Sequence, residues 1–246
     1  MVFDTETTSL TKPFCYDIGY CIINSEDWDT IDQKHYVIEQ IWHNAPLFST
    51  AYYENKRPLY IQGMRKHEII MDKFGYVMQA MKRDIKKYNI IAAYAYNSPF
   101  DDRVLTYNCD WYHVSNPLET IPIYDIKGYA NQFITNTQEY KDFCNNHKFY
   151  TDSGNYSSSA ETVYRYLTSN ADFQEDHMGL QDSIIESYIL FCAIKNGALL
   201  NKEYKPQQII TYDQPRPFTI KINGVPIYDG EYIKKSINYD VYNFTV

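Results

Sequence analysis

Three stretches near the start of the chain, residues 2–6, 16–24 and 34–42, are rich in apolar and aromatic positions and bounded by turn-rich segments at 9–13 and 26–32. That pattern predicts three consecutive strands in a β-meander. A polar and aromatic stretch follows over 43–62, after which Ile70, Phe74, Val77, Met81 and Ile85 recur at spacings of three and four. The spacing predicts an amphipathic helix ending near Tyr88. Residues 90–96 form a short apolar run closed by Asn97-Ser98-Pro99, which fits a buried strand passing into a helix with Ser98 as N-cap and Pro99 at N1. Residues 121–126 predict a fifth strand and 128–148 a weakly patterned helical region. Ser158-Ser159-Ala160-Glu161 reads as a capping box opening a helix through Leu167, with Glu161 reaching back to the backbone. A last helix starts near Gly179, sets Leu180, Ile184, Tyr188 and Phe191 along one face, and stops at Asn196-Gly197. Farther on the texture changes, with Pro206, Pro215, Pro217 and Pro226, and with Asn223-Gly224 as a hairpin signal inside residues 219–228. The order of elements predicts an α/β fold: a mixed five-stranded sheet flanked by helices over 1–200, then a small β-rich C-terminal extension over 201–246.

Composition narrows the function classes. With 246 residues, 44% of them hydrophobic, the chain can bury a sizeable core. Its longest apolar runs fall far short of the roughly 20 residues that cross a bilayer, and residues 1–6 carry no basic, apolar leader; the expectation is a cytoplasmic protein with no membrane partner. Five scattered cysteines without a C-x-x-C pair suggest neither a disulfide framework nor a thiolate zinc site. A net charge of −8 argues against coating nucleic acid through a broad basic face. It leaves open an acidic, metal-loaded pocket that grips a strand end, because bound ions supply positive potential themselves.

Three segments carry candidate chemistry. In Phe3-Asp4-Thr5-Glu6-Thr7-Thr8, strand alternation points Asp4 and Glu6 to one face. Two adjacent carboxylates repel unless a cation lies between them or one binds a proton, and hard divalent ions with oxygen ligands are their natural partners. Asp101, in Asn97-Ser98-Pro99-Phe100-Asp101, falls in the first turn of a helix after a buried strand, and His177 precedes a helix that carries Asp182 in its first turn. Each segment alone has an ordinary reading: a solvated strand face, a residue placed for the helix dipole, a structural histidine.

Taken together and in this order, the three segments resemble the exonuclease motifs of the DnaQ-like, DEDDh subclass of 3′→5′ exonucleases, which are built on the ribonuclease H-like fold. D-x-E-T-T falls on residues 4–8, N-x-x-F-D on 97–101 and H-x-x-x-x-D on 177–182, so the likeness spans about residues 2–197. It implies two Mg²⁺ ions, with Mn²⁺ as a substitute, held by Asp4, Glu6, Asp101 and Asp182, and His177 as general base. It also implies Thr7 and Leu10 against the terminal nucleotide, Phe100 near the last base, and Asn97 in support of the site. The expected substrates are nucleic-acid 3′ ends, single-stranded DNA ahead of RNA, with a replication or repair partner left open. An exoribonuclease or oligoribonuclease, or a non-catalytic nucleic-acid-binding module on the same fold, are the alternatives. Departures from the pattern are Ser9 for a glycine, Tyr96 for a histidine and Gly179 for an alanine. Met178 stands where the tyrosine-dependent subclass has its tyrosine, which leaves the base to His177. Asp125 matches a further acidic position, where an N-cap role is expected.

Overall fold

The computed structural model describes residues 1–211, 214–222 and 225–233. Its centre is a six-stranded mixed sheet in the order β4-β3-β2-β1-β5-β6. These strands are β1 (Val2–Thr7), β2 (Cys15–Ile23), β3 (Thr30–Ile38), β4 (Ile70–Asp72), β5 (Ala93–Ala95) and β6 (Ile123–Asp125). β1, β2 and β3 pair antiparallel, while β4, β5 and β6 join by parallel pairing. The helices are α1 (Glu39–Trp42), α2 (Ala45–Phe48), α3 (Arg57–Arg65), α4 (Phe74–Lys87), α5 (Ser98–Tyr112), α6 (Ile126–Ala130), α7 (Gln138–His147), α8 (Ala160–Thr168) and α9 (Gly179–Lys195). A π-helical turn, Asn131–Thr135, extends α6.

Both faces of the sheet are covered. Phe3, Tyr16, Ile18 and Tyr20 pack with Phe74, Val77, Met81, Val104 and Leu105 from α4 and α5. On the other side Val2, Cys21 and Tyr94 pack with Ile126, Tyr129, Val163, Ile185 and Ile189 from α6, α8 and α9. Because successive strand residues face opposite ways, Asp4 and Glu6 share the Val2 face and look toward α9.

Several sequence expectations need correction. The sheet has six strands rather than five, because Ile70 belongs to the three-residue β4 beside Tyr36–Ile38 and not to the helix, which starts at Phe74. Ile70 sits four residues before Phe74 and so imitates a helical repeat. β3 runs earlier than expected, and residues 39–42 turn into α1, burying Ile41 and Trp42; a short apolar run does not by itself separate strand from helix. Ser98 is the first residue of α5, not its cap. Asn97 holds the cap position in a left-handed turn, and its N–H is taken by Asp125 Oδ1 at 2.9 Å. The same oxygen accepts from Lys127 N at 2.9 Å, so Asp125 caps α6 as expected and braces α5 as well. α8 is capped by Ser159, which accepts from Thr162 N. Glu161 does not reach back; it pairs with Arg165 at 3.0 Å and accepts from Glu175 N at 3.1 Å. In α9 the buried face is that of Leu180, Asp182, Ser183, Glu186, Ile189 and Ala193, whereas Ile184 and Tyr188 are partly exposed.

After α9, Tyr204 and Ile209 insert into the second core, Tyr204 edge-on to Tyr129. Two antiparallel strands, β7 (Pro215–Ile222) and β8 (Val225–Ile233), then form a separate hairpin. Its expected Asn223-Gly224 turn lies outside the described residues. Among those residues no helix is long and apolar enough to cross a membrane.

Candidate active site

The cleft opens where β1 ends. Asp4 and Glu6 are half-buried there, and β5 has already left the strand's side, pairing with β1 only at Val2 and Tyr94. Thr5, on the opposite face, uses its backbone N–H and its hydroxyl to donate to Asp101 Oδ1, at 3.1 and 2.7 Å. The first turn of α5 is thereby tied to β1, and Asp101 is 2% exposed. Across the cleft, the first turn of α9 carries Asp182, and the next turn carries Glu186, which accepts from Tyr96 N at 3.1 Å.

His177 sits in the loop before α9 in a left-handed backbone conformation, φ 52°. Its ring stacks on Tyr53 with centroids 4.0 Å apart and planes 10° from parallel. Its Nδ1 lies 3.9 Å from Glu175 Oε2. Ligand atoms of Glu6, His177 and Asp182 all lie within 4.8 Å of one another.

These groups line one cavity of about 480 Å³ together with Glu175 and Glu186. Thr7, Leu10 and Phe100 line it too, as do Tyr52 and Tyr53 from the segment between α2 and α3. No lysine or arginine is among the described residues of its wall. Of the residues singled out from sequence, Asp4, Glu6, Thr7, Leu10, Phe100, His177 and Asp182 come together here, with Asp101 directly behind Thr5. Asn97 does not line the cavity; it is exposed and works through its backbone at the start of α5.

No protein-family model and no curated protein matches the chain.

The electrostatics of the cavity follow from its own groups. Burial, then the nearby Asp101, pushes the Asp4 carboxyl well above the ordinary range, and burial, then Asp182, does the same to Glu6. Asp182 is raised to about 8 by burial and by Glu175, and Glu175 to about 7 by burial and by Glu161. Burial lifts Asp101 to about 7 against the opposing pull of the Thr5 hydrogen bonds. Glu186 is also well up, from burial and then Asp101. The His177 imidazole is shifted down, again by burial first. So many carboxyls in one space cannot all be ionised without a cation among them.

Two buried oxygens, Asp4 Oδ2 and Asp182 Oδ1, have no hydrogen-bond partner, and a buried polar atom left so is costly. Orphaned, mutually repelling carboxylates fit hard divalent ions, and Asp4, Glu6 and Asp182 are the residues on the wall that would hold them; Asp101, behind Thr5, lies off the wall and adds its charge from there.

Sequence reasoning missed Glu175, Glu186, Tyr52 and Tyr53. Glu186 had a signal, since Asp182 and Glu186 stand at i and i+4 on one helix face, where like charges are unfavourable without a reason. The tyrosines had none, lying in a polar and aromatic stretch without periodicity.

Proposed function

We propose that this protein is a metal-dependent 3′→5′ exonuclease that hydrolyses phosphodiester bonds from the 3′ end of nucleic acid, single-stranded DNA in the first instance. The observation that carries the reading is the convergence of the three sequence segments on one cavity, where carboxyls of β1 and α9 keep buried oxygens without partners. The finer assignment to a ribonuclease H-like fold belongs to the same proposal. It is supported by β1 standing inside a mixed sheet and by delivery of the acidic groups from β1, α5 and α9.

Bound divalent ions supply neutralisation of phosphate charge and a more acidic attacking water. Asp4 would share both ions, Glu6 and Asp182 would complete one site, and Asp101, off the wall, would add its charge to the other. His177 takes the water's proton at a ring nitrogen; its lowered pKa keeps it neutral and able to do so near pH 7. Glu175, close to Nδ1, steadies the imidazolium that results. Leu10 and Tyr52, 71% and 87% exposed at the rim, offer apolar faces to an unpaired base. With no lysine or arginine on the described wall, grip on the strand would fall to bound ions and to these faces.

The test is incubation of the purified protein with end-labelled DNA and RNA of matched sequence, with Mg²⁺ or with EDTA. A descending ladder from a 5′-labelled strand in Mg²⁺ alone is expected. Undiminished digestion in EDTA, or immediate release of a labelled 5′ mononucleotide, would overturn the reading.

A further inference from the structure

Behind the cavity lies a second buried group that the reaction scheme does not use. Asp17 on β2 is fully buried, with no exposed surface, yet carries a carboxylate. Its Oδ2 accepts from Tyr60 Oη at 2.7 Å and from Gly179 N at 2.9 Å. Its Oδ1 lies 2.9 Å from His35 Nε2, close in distance but poorly aligned for a hydrogen bond. His35 and Tyr60 are themselves buried. A buried carboxylate with three polar neighbours is costly to assemble unless the arrangement serves specificity or position.

What it holds is the turn that presents His177. Gly179 is the first residue of α9, two after His177, and its N–H is one of the donors that a helix start leaves without an internal partner. Tyr60 Oη also lies 3.5 Å from His177 O, but its one proton goes to Asp17, so the hydroxyl fixes the carboxylate and stands beside the histidine's backbone without bonding it. The turn needs holding, because a left-handed conformation at a non-glycine residue is strained. Backbone packing closes it from below. A Cβ on Gly179 would meet Gly19 N at 2.6 Å and Asp17 Oδ1 at 3.2 Å, so the helix start rests directly on β2. Tyr53 closes it from above by stacking on the ring.

We propose that Asp17 is a positioning residue: with Tyr60 and His35 it forms a buried clamp that fixes the left-handed turn at His177 and so the place of the imidazole in the cleft. The inference rests on the reading of His177 as the base, but its structural half is testable without any activity. The clamp acts through the Gly179 N–H, two residues after His177, not through the substrate. Its loss should lower turnover and leave substrate binding nearly unchanged.

The experiment uses the full chain with Tyr60→Phe, which removes only the hydroxyl, and Asp17→Asn, which keeps the shape, alongside Asp17→Ala. Histidine side-chain resonances are recorded by NMR, with the His177 signal identified by its disappearance in His177→Ala. In the parent that signal should carry the upfield ring-current shift that a stack on Tyr53 imposes. Tyr60→Phe and Asp17→Asn should move it toward the position of an unstacked histidine while the other five histidines, apart from His35, stay in place. In the nuclease assay the same variants should lose turnover, up to about 10²-fold for a displacement near 1 Å, with KM within twofold of the parent. Folded variants that keep the parent His177 signal overturn the proposal, even if their turnover falls. Should the parent show no nuclease activity at all, the exonuclease reading fails while the resonance shift still decides the clamp. Unfolding of Asp17→Ala is read against Tyr60→Phe, which leaves the carboxylate paired with Gly179 N and decides the proposal by the same signal.

Discussion

Asp4 and His177 share a cleft but are assigned different work, and their substitutions should fail differently. Asp4→Asn removes a charge that both ions would share, so affinity for Mn²⁺ and activity should fall together, and added Mg²⁺ should restore little. His177→Ala leaves the carboxyls in place; it should bind Mn²⁺ nearly as the parent does and lose the roughly 10²- to 10⁴-fold that a general base contributes. Its residual rate should climb with pH as hydroxide takes over. Calorimetry with Mn²⁺ separates the two, and the nearness of His177 to Glu6 and Asp182 makes the comparison sharp. If His177→Ala loses metal as badly as Asp4→Asn, the histidine is a ligand and the base lies elsewhere. At this scale the sequence was legible where a short-range rule applied. Strand alternation placed Asp4 and Glu6 on one face, and helix first turns placed Asp101 and Asp182. Asp17 was not legible, because a lone acidic residue in a strand of nine says nothing until Tyr60 and Gly179, distant in sequence, close around it.

Among elements, the junction of β2 with α9 decides whether the site assembles. A Cβ built on Gly19 would meet Leu180 N at 1.8 Å and Gly179 C at 2.0 Å, both backbone atoms that cannot rotate away. Gly19→Ala should therefore push α9 off the sheet and lower stability by about 3 kcal/mol or more, the upper end of overpacking costs. An unchanged urea midpoint would show that β2 and α9 can part at this contact without cost. The same junction leaves no room for a side chain at Gly179, where a methyl would press on Gly19 N and Asp4 O. It also shows why periodicity misjudged α9. A helix that buries Asp182 and Glu186 toward the sheet hides its polar residues, and the visible apolar row of Ile184, Tyr188 and Phe191 is left nearer the surface. Elements with regular local causes were found from pattern alone. β4 and the exact start of α5 were not, since a three-residue edge strand and a cap supplied by Asp125 depend on chain brought from elsewhere.

Across the whole molecule, the acidic cavity ties stability to pH and to metal. Asp101, Glu175 and Asp182 hold protons up to about 7, 7 and 8 when folded, and Asp4, Glu6 and Glu186 are raised as well. In the unfolded chain such groups titrate near pH 4, so between about pH 4 and 8 the metal-free folded state binds more protons than the unfolded one. Stability is then greatest at the acid end of that window and falls as pH rises through the folded values. His177 opposes this only weakly, as one group whose lowered pKa costs stability when pH drops below about 6.5. The expected outcome is a Tm in EDTA that declines from pH 5.5 to 8.5. Mg²⁺ or Mn²⁺ should recover much of the loss at pH 8.5 and little at pH 5.5, because bound cations do the work of the lost protons and bind only the ionised cavity. Asp182→Asn supplies the internal control. With one buried charge fewer it should melt above the parent in EDTA at pH 8.5, yet gain less from metal. A parent Tm that is flat or rising across that range in EDTA would mean that the cavity carboxyls are solvated and unstrained, and the case for a metal centre would lose its physical ground.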